Sequence, residues 1–198
     1  MAKIDKALLQ ELRDHTGLGL MDCRKALEET AGDFDQALEM LRKKGAAVAA
    51  KRADKETSEG IVKAYIHPGD RLGVLVEINC ETDFVANTDA VKQFAQDICL
   101  QIAANKAIYV APENVDETLL AREKDIFREQ MVDSGKPEKI IEQVIEGKVK
   151  KLYSDICLLE QSFIKNDQVT VKEALQQLIA KTGESIRIRR FCRFELGK

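Results

Sequence analysis

Apolar residues over the first 45 positions recur at helical spacing in three short runs divided by glycine. Ile4, Ala7, Leu8 and Leu12 precede Gly17; Met21, Ala26 and Leu27 precede Gly32; Phe34, Ala37, Leu38 and Leu41 precede Gly45. Each glycine suits a helix stop or the left-handed turn that follows one. Residues 1–45 are therefore predicted as a three-helix bundle, a module of its own near the lower size limit for an independent core. Residues 46–57, from Ala46 to Thr57, are alanine-rich and charged. They combine strong helix propensity with little to bury, which predicts a helical linker.

From Gly60 the period changes to two. Gly60 to Ile66 and Leu72 to Cys80 read as strands joined by the turn residues Pro68-Gly69-Asp70, which predicts a hairpin. In the second strand Leu72, Val74, Val76, Ile78 and Cys80 share one face while Leu75 adds apolarity to the other, the signature of an inner strand. Val91, Phe94, Ala95, Ile98, Cys99, Ile102 and Ala103 then fall on one helical stripe, a helix packed on that sheet. Ala107 to Val110 reads as a short strand ending at Pro112. Asp116 to Asp133 reads as a charged amphipathic helix stopped by Gly135, and Pro137 suits the first turn of a further helix continuing past Gly147 to Ile156. These two make an antiparallel helical pair at about 116–156. Thr170-Val171-Lys172-Glu173 is a capping box for a helix ending before Gly183, and a last strand runs from Ser185 to Leu196. Ile186, Ile188, Cys192 and Phe194 share parity there, so alternation predicts a buried Cys192. The fold class is α+β: the N-terminal bundle, the helical linker, and a core domain over 58–198 of antiparallel sheet packed with helices.

Between the second strand and the helix lies Glu77-Ile78-Asn79-Cys80-Glu81-Thr82-Asp83-Phe84-Val85-Ala86-Asn87. Two adjacent apolar residues, Phe84 and Val85, sit in a segment polar enough for a solvated loop, so either the core or a partner must cover them. A helix extended back unbroken from Val91 puts Phe84 on the stripe of Thr88, Val91 and Ala95, where it caps the core. On pattern alone, core is the stronger reading.

Charge and chemistry narrow the function. Lys and Arg number 31 against 34 Asp and Glu, a net charge of -3, so no global cationic field draws the chain toward nucleic acid. No stretch approaches the roughly 20 apolar residues that span a bilayer, and the N-terminus lacks a signal-peptide core. Cys23, Cys80, Cys99, Cys157 and Cys192 lie far apart, with only His15 and His67 to join them as ligands. That set does not make a structural zinc site. No glycine-rich phosphate cradle follows a strand, and neither histidine is flanked by a nucleophile in a known local arrangement. The chain thus reads as no enzyme, with no cofactor and no metal of its own.

Two segments together resemble the signature motifs of the elongation factor Ts family. One runs from Leu12-Arg13-Asp14-His15-Thr16-Gly17 through Leu18-Gly19-Leu20-Met21-Asp22-Cys23 to Leu27, and the other is the Glu77 to Asn87 run. The ending Arg189-Arg190-Phe191-Cys192-Arg193-Phe194-Glu195-Leu196 is similar to the family as well, so the resemblance covers essentially the whole chain. It implies a guanine-nucleotide exchange factor for elongation factor Tu, the GTPase that delivers aminoacyl-tRNA to bacterial and organellar ribosomes. On this resemblance Thr82, Asp83, Phe84 and Val85 enter the partner beside its magnesium and phosphates, the phenylalanine acting as a wedge. The N-terminal bundle is similar to a ubiquitin-associated domain and docks elsewhere through Arg13, Leu20 and Met21. Long members carry a duplicated core where this chain has room for one, which implies a homodimer with Cys192 at the interface. The implied setting is the cytoplasm, bacterial before organellar. A second reading, a helical adaptor joined to an RNA-binding domain, rests on the basic residues 43–55 and on Arg187, Arg189, Arg190 and Arg193. The net acidic charge and the lack of stacking aromatics weigh against direct nucleic-acid contact.

Overall fold

Asp5 opens the first helix, α1 (Lys6–Thr16), by accepting from the Ala7 N–H, and Gly17, at φ 64°, closes it. The computed structural model describes residues 4–131 and 137–198. Helix α2 (Leu20–Glu29) follows after Gly19, and Asp33 caps α3 (Phe34–Arg52) through the Gln36 N–H. Leu12, Leu27, Ala37 and Leu41 of the predicted runs form the buried centre of these helices together with Cys23, whereas Ala7 and Met21 of the same runs are exposed. Gly45 does not end α3 as expected. It is buried, a Cβ placed on it lies 3.7 Å from that of Ala180, and the alanines beyond it carry the helix to Arg52. Residues 46–52, expected in a helical linker, are helical and continuous with α3, forming its last third.

The hairpin strands are β1 (Glu59–Ile66) and β2 (Leu72–Cys80). They are followed by the single turn α4 (Asp83–Ala86), then α5 (Asp89–Asn105), α6 (Glu117–Glu129) and α7 (Glu138–Ile156). Strands β3 (Ser162–Phe163) and β4 (Asn166–Thr170), helix α8 (Val171–Thr182) and strand β5 (Ile186–Glu195) complete the chain. The sheet has the order β1-β2-β5, with β2 inside as its two-sided apolarity predicts. A five-residue connection makes β1 and β2 antiparallel. Leu196 donates to the Arg71 carbonyl at 2.9 Å beside the start of β2, and Ser185 meets Glu81 beside its end, so β5 is antiparallel to β2 as well. Val74, Val76, Ile78 and Cys80 of β2 are buried, as are Val91, Ala95, Ile98, Cys99 and Ile102 of α5. The fold is α+β.

Contacts divide the chain into two compact units, Met1–Lys63 with Glu77–Ala95 and Lys172–Arg189, and Ala64–Val76 with Gln96–Val171 and Arg190–Lys198. In the first, Ala180 of α8 packs against the core of α1 to α3. In the second, α6 and α7 touch where Lys148 Nζ donates to Gln130 Oε1 at 2.6 Å and lies 5.1 Å above the Phe127 ring. Helix α6 ends at Glu129 with Gln130 as its C-cap, short of the expected Asp133, and Gly135, the expected stop, lies outside the described residues. Ala107 to Val110 is no strand but a single bridge, Tyr109 opposite Cys157. The β3–β4 hairpin, absent from the sequence expectation, is held by buried amides. Gln101 donates to Gln161 Oε1 (3.0 Å) and to the Ser162 carbonyl (3.1 Å), and its own oxygen accepts from the Ile164 N–H at 2.7 Å. Satisfied in this way, a buried glutamine fixes the hairpin at little cost.

Strand β5 corrects the parity expectation. Ile186 and Ile188 are buried, but Arg189 and Arg190 are both exposed, and beyond them Phe194 is 70% exposed. The alternation slips by one residue there, as one extra residue in a strand makes it do. Cys192, expected on the buried parity, is half-buried for that reason.

Gly60 is the tightest approach in the sheet. At φ 154°, a Cβ there meets the Ile78 carbonyl oxygen at 2.2 Å and the Asn79 Cα at 2.8 Å. Backbone cannot rotate away as a side chain can. Gly60→Ala is expected to lower the unfolding free energy by roughly 2–4 kcal/mol in urea titration. A loss under about 0.5 kcal/mol, the scatter of surface substitutions, would show that β1 yields freely.

Candidate functional site

Strand β2 ends on the buried Cys80, and the next side chain, Glu81, is a carboxylate only 18% exposed. A carboxylate so placed needs partners. Ser185 donates its N–H to Glu81 Oε1 at 2.5 Å, and Arg52 Nη1 donates to Oε1 and Oε2 at 3.1 and 3.0 Å. The Ser185 N–H foremost, then the Arg52 guanidinium against the opposing pull of burial, hold the carboxyl below its ordinary value.

Thr82 then caps α4. Its backbone is extended, its hydroxyl oxygen accepts from the Val85 N–H at 3.3 Å, and the hydroxyl donates to Glu184 Oε1 at 2.8 Å. The Thr82 N–H reaches the other oxygen of the same carboxylate at 3.1 Å. One helical turn later the Asn87 amide donates to the Asp83 carbonyl at 3.0 Å. Thr88 donates to the Val85 carbonyl at 2.7 Å and accepts from the Val91 N–H at 3.4 Å, so the helix breaks and restarts at this residue. The unbroken helix that puts Phe84 on the core stripe does not form.

The apolar pair is thereby divided. Val85 is 6% exposed, whereas Phe84 is 78% exposed, on the outer side of the turn beside the exposed Asp83. The core reading of Phe84 is overturned. Thr82 is exposed but engaged on both sides of its hydroxyl.

At the α1–α2 turn, Arg13 lines an open recess with Gln10, Asp14, Gly17, Gly19 and Lys181. The left-handed Gly17 and the extended Gly19 let the chain reverse there, and Leu20 and Met21 stand exposed on the first turn of α2. Arg13 and the Thr82 mount meet opposite ends of one short segment: Lys181 borders the recess that Arg13 lines and Glu184, three residues on, holds Thr82. Cys192 is not among these residues; it is half-buried on β5.

Arg52, Glu184 and Ser185 escape the sequence reading. They lie 29 to 104 positions from their partners. The available signal is physical: a carboxylate directly after a buried strand requires a cation or an N–H, without saying which. Among the described residues, no group of three or more His, Cys, Asp or Glu is placed to hold a metal ion, and no helix is long and apolar enough to cross a membrane. His15 lies edge-on to Phe34, and His67 Nδ1 is 2.8 Å from the Tyr65 hydroxyl.

The family model described as "Elongation factor TS" matches residues 22–198. The chain belongs to the elongation factor Ts family. It is 54% identical over 195 residues to elongation factor Ts of Carboxydothermus hydrogenoformans, covering 98% of this chain and 90% of the relative. It is 49% identical over 198 residues to that of Desulfosudis oleivorans, with both chains covered in full, and 52% identical to that of Desulfitobacterium hafniense, covering 100% and 91%. The junction at Thr82 to Val85 lies inside the span of the elongation factor Ts model, and Arg13, Leu20 and Met21 lie just before it.

The depressed carboxyl of Glu81 carries a pH dependence. A group whose folded-state pKa is lowered contributes stability above its unfolded value and loses it as pH falls through the folded value. Wild type is expected to melt above Glu81→Gln at about pH 7, and the gap should narrow as pH falls through the carboxylate range. A gap that holds constant on acidification removes the ionised form from the account.

Proposed function

We propose that this chain is a guanine-nucleotide exchange factor for elongation factor Tu, without a chemical active site, and that Asp83 and Phe84 are the residues it inserts. The observation that supports this most is an exposed aromatic ring on a one-turn helix whose every end is fastened by side chains. A loose segment would have to be ordered on arrival; the backbone that carries this ring is already held.

The physics of exchange asks for such a group. A GTPase holds its nucleotide through backbone N–H groups and a magnesium ion bridging phosphates, so moving the elements that carry them weakens several contacts together. A ring entering a close-packed interface displaces rather than deforms it. Phe84 supplies that volume and Asp83 a carboxylate beside it, while Thr82 and Val85 complete the contact segment, holding the turn from beneath. Arg13, Leu20 and Met21 offer a second docking surface on the N-terminal helices. By linkage, nucleotide weakens the binding of the factor as much as the factor weakens the binding of nucleotide, which lets the pair separate.

Phe84→Ala is expected to keep the fold and to lose most of the acceleration of labelled GDP release from elongation factor Tu. Truncating an exposed anchor at an interface costs about 2 kcal/mol or more, a fall of roughly 30-fold or greater. Near-normal acceleration by a folded Phe84→Ala protein refutes the wedge.

We further propose that the chain is a homodimer. In the second unit Ile66, Leu75, Phe194 and Leu196 are all exposed, and together with Ala64 and Gly73 they border an apolar hollow of about 620 Å³. Exposed aliphatic and aromatic side chains grouped in this way favour a self-complementary partner. Cys192, half-buried two residues before Phe194, joins that edge without needing a disulfide. Light scattering in reductant should give twice the 22.2 kDa chain mass, and Phe194→Glu should halve it. A wild-type monomer overturns the dimer.

A further inference from the structure

We propose that Glu184 is a positioning residue for exchange: its carboxylate, through Thr82, sets the orientation in which α4 presents Phe84. This rests on the proposed exchange function and adds how the ring is aimed.

A four-residue helix has almost no stability of its own, because the first turn fixes several dihedrals for one hydrogen bond. Helix α4 forms because its ends are satisfied from outside. Glu184 accepts from the Thr82 N–H and hydroxyl with separate oxygens, at 3.1 and 2.8 Å. With its proton committed to the carboxylate, the hydroxyl turns a lone pair toward the Val85 N–H at 3.3 Å. The chain carboxylate, hydroxyl, helix N–H is a relay in which each bond polarises the next.

Glu184 is itself fixed on both sides. Gly183, at φ 75°, ends α8 by donating to the Ile179 carbonyl at 2.8 Å, and the next N–H after Glu184, that of Ser185, is bound to Glu81. Its backbone cannot drift without breaking one of these. The Glu81 clamp fixes where β2 ends, and Glu184 fixes the direction the chain takes from there.

A group that aims the wedge affects the step in which nucleotide leaves more than the encounter that precedes it. The experiment measures labelled GDP release from elongation factor Tu against factor concentration for wild type, Glu184→Ala, Glu184→Gln, Thr82→Ala, the double variant Thr82→Ala with Glu184→Ala, and Phe84→Ala. Amide hydrogen exchange of the free factor accompanies it. Glu184→Ala should lower the saturating release rate about tenfold, the scale of one lost charge-assisted hydrogen bond, and leave the half-saturating concentration within about threefold. The Val85 amide should lose protection while those of α5 keep theirs. Glu184→Gln, which retains an acceptor for the hydroxyl, should restore part of the rate, and the double variant should be no worse than the poorer single one.

Four results overturn the proposal. One is a normal saturating rate for Glu184→Ala beside an active wild type and an impaired Phe84→Ala, which leaves the exchange reading standing. A second is additive loss in the double variant. A third is an equal loss for Ala and Gln that falls on the half-saturating concentration and vanishes with salt, which marks a long-range charge effect. The fourth is a wild type that does not accelerate release, which removes the exchange reading and this role together.

Discussion

Glu81 has to be ionised and partnered at the point where a buried strand stops. That constraint organises the first unit, because the partners come from two distant segments: Arg52 at the end of α3 and Ser185 just before β5. The tie is made a second time nearby, where Arg187 donates to the Ala53 and Lys55 carbonyls past the end of α3. The carbonyls at a helix C-terminus have no partners within the helix, and a cation there satisfies them and complements the helix dipole. The alanine-rich end of α3 thus meets an arginine of β5 and contributes an arginine to Glu81, just past β2. The strand end is held in place by charge, where packing alone leaves a polar group stranded.

The residues immediately beyond Glu81 depend on that fixed point. Cys80 and Val85 are buried on either side of it, so Glu81 to Asp83 must cross the surface in a few residues. The one-turn helix accomplishes this, and its geometry decides which apolar residue faces in. Val85 lies at the turn's inner side and Phe84 at its outer side, although they are adjacent. Exposing a phenylalanine forgoes the stabilisation of burying it, about 2 kcal/mol or more. The bonds at both ends of the turn keep that ring outside despite this cost.

The sequence makes the repetitive parts legible and leaves the junctions obscure. Alternation locates β1 and β2 and places β2 inside the sheet; the stripe from Val91 to Ala103 locates α5 and its buried face. Periodicity works there because many residues repeat the same statement. Gly45 misleads because glycine serves two ends, a helix stop and a close approach, and here it is the second, beside Ala180. The β3–β4 hairpin is too short for any period to show, and the buried Gln101 that fixes it looks polar and solvent-facing in the sequence. Phe84 is ambiguous for a sharper reason. Its place on the stripe requires an unbroken helix, and whether that helix breaks depends on Thr88 folding back to the Val85 carbonyl. The site's supports, Arg52, Glu184 and Ser185, carry no local pattern at all.

The slip in β5 joins two observations, the half-buried Cys192 and the exposed Phe194. Strict alternation from Ile186 and Ile188 turns Phe194 inward along with Cys192, and the outer side of the second unit's sheet then loses its largest apolar group. Arg189 and Arg190 are instead both exposed, and the pattern emerges from them inverted. Arg193 and Glu195 now pair at 2.8 Å on largely covered side chains, while Phe194 and Leu196 face solvent together with Ile66 and Leu75. A one-residue irregularity between two arginines thereby turns the strand over part-way along its length. Its first half is committed to the chain's own core, and its second half carries an apolar face that this chain does not cover. Because side-chain period in a strand is two, a shift of one residue is enough to turn every following side chain to the other face.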